Sequence, residues 1–313
     1  MSVGLSFAEC SARERIAALF DAGSFTEWLP PSARVMSPHL AQLGVPSAFD
    51  DGIAIGQARL AGRTVFVAAQ EGGFMGGGVG EVHGAKLVGL FQRALLAAPG
   101  DRPAAVVLLA ESGGVRLHEA NAGLIAVSEV MRALLDARHA GIPVIVLIGG
   151  ANGCFGGMGI VARCADHLVI SDIGRLAMSG PEVIEATHGV EEFDARDRAL
   201  VWRTTGGKHR YLLGDCDQLV ADDVAAFRAA AVAALDELAP VAGPYPSHAP
   251  TLASLQAEHE LLALRLREGA AIEPGDAVAL WRRLGCEAAA SVPDLNAAEV
   301  RALRLAPALE TAR

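Results

Sequence analysis

Two short apolar runs constrain this chain most. "AAVVLLA" (104–110) and "PVIVLIG" (143–149) carry no polar alternation. A strand that is apolar on both sides must be covered on both faces, which is the condition of a parallel sheet flanked by helices. Each run leads into glycines and then into a segment with helical spacing. Helices are expected over 119–139 and from about Gly156 to Cys164, and a further short strand at "HLVIS" (167–171). This alternation predicts an α/β fold with a partly parallel sheet.

The flanking segments fit that frame. Ser11 stands where a helix cap belongs, ahead of "ARERIAALF". "DGIAIGQARLAGRTVFVAAQ" (51–70) predicts a hairpin turning near Ala61 and Gly62. The glycine-rich stretch "EGGFMGGGVGEVHG" (71–84) precedes a helix with an apolar stripe, "AKLVGLFQRALLAA". "RLAMS" (175–179) is expected as a short strand, and "PEVIEATHG" as a helix opened by Pro181 and stopped at Gly189. "APVAGPYPSHAP" (239–250) holds four prolines and reads as a linker. It divides a main domain, 1–238, from an alanine-rich helical extension, 239–313. A chain cut near Pro240 is therefore expected to keep its fold and to bind a partner more weakly.

Composition excludes several classes. The formal net charge is −10, the wrong sign for a general nucleic-acid binder. The most apolar stretch is broken by glycines and an asparagine, so no membrane span is expected. Cys10, Cys154, Cys164, Cys216 and Cys286 form no C-x-x-C pair, so no zinc ribbon or other metal site is expected. An odd cysteine count with no apolar leader suits a reducing cytoplasm. "GEVHGAKL" is not a P-loop, because Ala85 and Leu87 stand at positions that need Gly and Ser/Thr. "ESGGV" is not a nucleophile elbow around Ser112, and Cys154 reads as a buried structural cysteine.

What remains is backbone. Three segments, Gly72–Gly80, Ser112–Val115 and Gly149–Gly159, each place glycines between a strand and a helix start. The first amides of a helix lack intrahelical partners. Two such turns facing one cavity make an oxyanion hole. His83 and Lys86, beside the first loop, are candidates for meeting a phosphate, and Arg116, His118 and Glu119 follow the second.

These stretches resemble the acyl-CoA carboxyltransferase family. The resemblance is carried by "SARERIAALFDAGSFTEW", by 51–87, by "ESGGVRLHEA", by "GIPVIVLIGGANGCFGGMGIVARCADHLVIS" and by "LAMSGPEVIEATHG", in order over roughly residues 10–235. Within the family, "GGANGCFGGMG" and "GVEEFDARDRALVWRTTGGKHRYLLGDCDQLV" are most similar to the β subunits of biotin-independent malonate decarboxylases. The sequence departs from the wider family at Val115, where alanine is usual, at Leu117 and His118, where Met-Gln is usual, and at Cys154, where threonine is common.

The resemblance implies a crotonase-like fold of repeated ββα units. It implies a γ subunit as partner and a malonyl thioester on an acyl carrier protein, whose arm is a phosphoribosyl-dephospho-coenzyme A group. Neither biotin nor a metal is implied. The oxyanion donors implied are the amides of Gly113, Gly114 and Val115, with those of Phe155, Gly156 and Gly157 for the carboxylate end. His118, Glu119 or water would protonate the carbanion. Gly76, Gly77, Gly78, His83, Lys86 and Arg116 would face the carrier arm. Three rivals stand beside this reading: a β subunit of a biotin-dependent acyl-CoA carboxylase, a hydratase, and a non-catalytic scaffold. "GGMGIVARCAD" offers no early glutamate for a hydratase. An acidic carrier needs a basic patch. Arg203, Lys208, His209 and Arg210, or Arg59, Arg63 and Lys86, are the candidates, with a solvated loop the alternative.

Overall fold

The computed structural model describes residues 4–44, 52–98, 100–238, 251–273 and 275–303. The expected linker 239–250 lies outside the described residues.

Ser11 caps helix α1 (Ala12–Leu19) through a capping box with Glu14. Strands β1 (Thr26–Trp28), β2 (Ile53–Leu60) and β3 (Arg63–Gln70) form an antiparallel run. The β2–β3 hairpin turns on Ala61 (φ 51°) and Gly62 (φ 78°). Two positive φ values at a two-residue turn match the twist of the strands. Helix α2 (Glu81–Leu96) follows, then β4 (Val106–Ala110), α3 (Ala122–His139), β5 (Val144–Ile148), α4 (Gly157–Arg163) and β6 (His167–Ser171). Helices α5 (Pro181–His188), α6 (Arg198–Thr205) and α7 (Gly207–Leu212) lead to β7 (Gln218–Val220) and α8 (Val224–Glu237).

The seven strands lie in chain order, and every pairing from β3 to β7 is parallel. Strand residues alternate between two cores. Val106, Leu108, Val144 and Val146 face the α2–α3 side, while Val107, Leu109, Ile145 and Leu147 face α1 and α8. The unbroken apolar runs are thus two alternating apolar faces, as the period of two requires.

The fold is crotonase-like, and the second strand of each ββα unit is reduced to single parallel bridges: Val79 with Val115, Ser112 with Cys154, and Cys154 with Leu176. "RLAMS" is accordingly no strand of the main sheet; only its Arg175 and Leu176 make bridges.

The helical extension does not stand apart. Helices α9 (Leu252–Gly269), α10 (Ala277–Arg283) and α11 (Ala297–Arg301), with the turn between the last two, send Leu261, Trp281, Leu284, Val292 and Val300 into the same core as α2 and α3. Trp281 donates its Nε1–H to Nδ1 of His209 over 3.1 Å. That bond needs a neutral imidazole, and burial holds the His209 pKa well below its ordinary 6.5. An unfolded chain takes up a proton there and the folded one does not. This part of the stability is therefore complete above pH 6.5 and falls as the solution is acidified below it. Thermal unfolding at about pH 7.5 and about pH 5.5 is expected to show a lower Tm at the acid end. His209→Gln, which keeps an acceptor for Trp281, is expected to flatten that difference.

Candidate active site: three glycine loops at the ends of the parallel strands

The loops after β3, β4 and β5 meet because their strands are neighbours in one parallel sheet. The first loop clamps the second. Gly113 N–H donates to Gly76 O (2.8 Å), Val79 N–H to Gly114 O (2.9 Å), and Arg116 N–H to Val79 O (3.0 Å). The clamp requires glycine at position 77: its φ is +68°, and a Cβ there would sit 2.0 Å from the carbonyl oxygen of Glu111. The second loop touches the third. Phe155 N–H donates to Ser112 O (2.8 Å), and a Cβ on Gly156 would lie 3.3 Å from Gly114 Cα.

This pairing sorts the donors that the sequence proposed. The amides of Gly113 and Phe155 are occupied in holding the loops together, and Gly156 N–H donates to Met178 O (3.0 Å). Gly114 N–H has only the Ser112 hydroxyl, at 3.2 Å. The amides of Val115, Gly157 and Met158 meet no acceptor among the described residues. The open donors are therefore Val115, Gly157 and Met158, with Gly114 held by nothing stronger than the long bond to the Ser112 hydroxyl. Met158 was missed because its side chain is buried and apolar and says nothing about its amide.

The side-chain candidates are sorted as well. Glu119 is buried, accepts the Glu81 N–H at the start of α2 (2.7 Å) and pairs with Arg116 (3.3 Å). It caps α2, and His118 Nε2 lies 3.8 Å from its carboxylate. His118 is 38% exposed at the side chain and lies at the end of the second loop. Ser112 is fully buried, with its hydroxyl donating to Gly114 O. Cys154 is fully buried, and desolvation pushes its pKa up to about 12, so it is no nucleophile.

Of the set expected to face the carrier arm, Gly76 is exposed and the other five are buried. His83 is fully buried against Gln70 (3.0 Å), and buried Lys86 points at Ile53 O (3.5 Å). Buried Arg116 lies over the Phe74 ring. The Gly77 and Gly78 amides close the loop on Phe74 O and Met75 O, and Gly76 supplies the clamp's carbonyl. His83, Lys86 and Arg116 are thus part of the core, and the three glycines shape the clamp.

Both basic clusters are partly engaged within the chain, with Arg59 exposed and Arg203 half-buried. His209 is buried, Lys208 donates to Pro293 O (2.7 Å) and Arg210 pairs with Asp215 (3.0 Å). Their segment forms α6 and α7 and is no solvated loop. In the other cluster Lys86 is buried and Arg63 pairs with Asp236 (2.9 Å).

Apolar side chains rim the open amides: Met75, Leu117 and Met178 are 51%, 84% and 71% exposed. Exposed apolar groups gathered around a polar site mark a surface that something else covers. Among the described residues no group of three His, Cys, Asp or Glu side chains is placed to hold a metal, and no helix is long and apolar enough to cross a membrane.

Comparison with known proteins agrees with this geometry. A family model described as the carboxyl transferase domain matches residues 8–262. The malonyl-S-ACP:biotin-protein carboxyltransferase of Malonomonas rubra is 48% identical over 242 residues, 74% of this chain and 76% of that protein. The propionyl-CoA carboxylase beta chain of Saccharopolyspora erythraea is 31% identical, over 67% of this chain but only 37% of that one. A Pseudomonas malonate decarboxylase hetero-tetramer, solved in complex with malonate, holds a chain that superposes with a TM-score of 0.76 at 38% identity, covering 90% of this chain and 98% of that one. The match spans both the paired loops and the sheet that carries them, and the chain belongs to the carboxyl transferase domain family.

Proposed function

We propose that this chain is the β subunit of a malonate decarboxylase, converting a malonyl thioester on an acyl carrier protein into the acetyl thioester with release of CO₂. The observation that carries this reading is the set of open amides on two touching loops. Loss of CO₂ leaves an enolate with its charge on the thioester oxygen. That step starts without a general base and needs fixed donors for the oxyanion. Gly114 and Val115 hold the thioester oxygen; Gly157 and Met158 face the carboxylate end. His118 delivers the proton to the carbanion. The thioester's phosphoribosyl-dephospho-coenzyme A arm enters along the apolar rim, under a γ subunit that seals the cleft against water. A malonyl group has a polar function at each end, and a cleft between two chains holds both more easily than one open surface. The Pseudomonas malonate decarboxylase chains belong to a hetero-tetramer and a hetero-dimer, which supports a partner here.

The name of the Malonomonas relative favours a second reading, transfer of the carboxyl group to a biotin protein. One experiment separates the two. The purified chain alone is expected to decarboxylate malonyl thioesters at a negligible rate. Adding the γ subunit should restore turnover that avidin does not inhibit. Full activity from the monomeric chain would remove the two-chain site, and inhibition by avidin would favour the second reading.

A further inference from the structure

Glu111 directly follows strand β4 and is 3% exposed. Its carboxylate pairs with Arg15, itself 2% exposed, on the buried face of α1. Arg15 is held in turn by Phe7 O (2.7 Å) and by the Phe7 ring beneath its guanidinium. The second carboxylate oxygen accepts the Asn152 N–H of the third loop at 3.0 Å. The Asn152 side chain donates to Gly72 O of the first loop at 2.8 Å. The Glu111 amide donates to Gln70 Oε1 at the end of β3 (3.0 Å). Gly150 leaves the room: a Cβ there would lie 2.2 Å from the carboxylate.

Glu111, together with the Asn152 it holds, therefore joins all three loops and the strand ends beneath them. Stability alone does not account for it. Taking two charges out of water costs several kcal/mol, and well-packed apolar residues of the same volume commonly serve as well or better. What an apolar core cannot do is fix the relative height of two loops through directed bonds.

We infer that Glu111 is a positioning residue for the site: through Asn152 and Arg15 it sets the spacing between the Gly114–Val115 amides and the Gly157–Met158 amides. This rests on the function proposed above, and the test keeps the two apart. In the complex with the γ subunit, Glu111→Gln keeps the size and one acceptor but loses the charge that holds Arg15. Its kcat is expected to fall by about 10²-fold, the loss typical of a displacement near 1 Å, with KM within about threefold. Glu111→Asp keeps the charge on a shorter stem and should recover part of the loss. Amide hydrogen exchange over 112–115 and 150–158 should speed up in Glu111→Gln, a readout that needs no substrate. Asn152→Ala, which leaves the ion pair in place, is expected to lower kcat with an unchanged Tm. Where Glu111→Gln does not fold, Glu111→Asp, read by kcat and by the same loop exchange, keeps the test open. Wild-type kcat or unaltered loop exchange in folded Glu111→Gln would overturn the assignment, and wild-type kcat in Asn152→Ala would overturn the part of it that runs through the first loop. Absence of decarboxylation by the wild-type complex would instead remove the proposed function and leave the exchange result to decide the role of Glu111.

Discussion

Val115→Pro is expected to lower kcat by about 10²–10³-fold, the loss typical when one oxyanion donor is removed. The reason lies in which bonds the loop uses. Val115 bridges Val79, but the bonds across that bridge run from Val79 N–H to Gly114 O and from Arg116 N–H to Val79 O. The Val115 amide takes no part in them. Proline at this position deletes the donor and leaves the clamp's hydrogen bonds intact. Proline at Gly113 would instead break the bond to Gly76 O and unfasten the loop. Ser112→Ala is the comparison. The buried hydroxyl bonds only within its own turn, so a modest loss is expected and no acyl adduct on Ser112 by mass spectrometry. Steady-state assay of the complex checks both. Near-wild-type kcat in folded Val115→Pro would exclude the Val115 amide from the oxyanion site.

Trp281→Ala is expected to destabilise the chain by about 3–5 kcal/mol, the range for removing a large buried aromatic side chain. Trp281 is 2% exposed, lies tilted against His209 with ring centroids 5.9 Å apart, and satisfies its Nδ1. A domain's whole stability is of the order of 5–15 kcal/mol, so this one change removes a large share of it. Cutting the chain after Leu238 also removes Leu261, Leu284, Val292 and Val300 from the shared core. The truncated chain is expected to lose its cooperative thermal transition. Calorimetry of the variant and of the truncation checks this, and a normal transition at the wild-type Tm in the truncated chain would show the extension to be dispensable.

Parts of this were legible in the sequence for identifiable reasons. The Ser11 cap, the Ala61–Gly62 turn, the stop at Gly189 and the strands 106–110 and 144–148 each depend on a few neighbouring residues. The Glu111–Arg15 pair left a signal that was readable in principle. Arg15 falls three residues after Ala12 and four before Leu19, on the buried stripe of α1, and an acid directly ends the apolar run of β4. A cation and an anion both forced inside are expected to meet.

The sequence by itself determined where glycine loops interrupt strands and helices, because backbone freedom and hydrophobic period are local properties. It marked the three segments whose loops meet at the ends of the parallel strands. Only the tertiary structure decided which amides in them stay open. Gly113 is closed by a carbonyl 37 residues away, Phe155 by one 43 residues away, and Gly156 by Met178, through contacts that exist only once parallel strands are in register. The same holds for His83 and Lys86, whose polar side chains resemble surface groups in the sequence and are buried by a helix laid on the sheet. It holds for the helical extension too. Its apolar residues announced that they must be covered, but the choice of this chain's own core as the cover is a property of packing between distant segments.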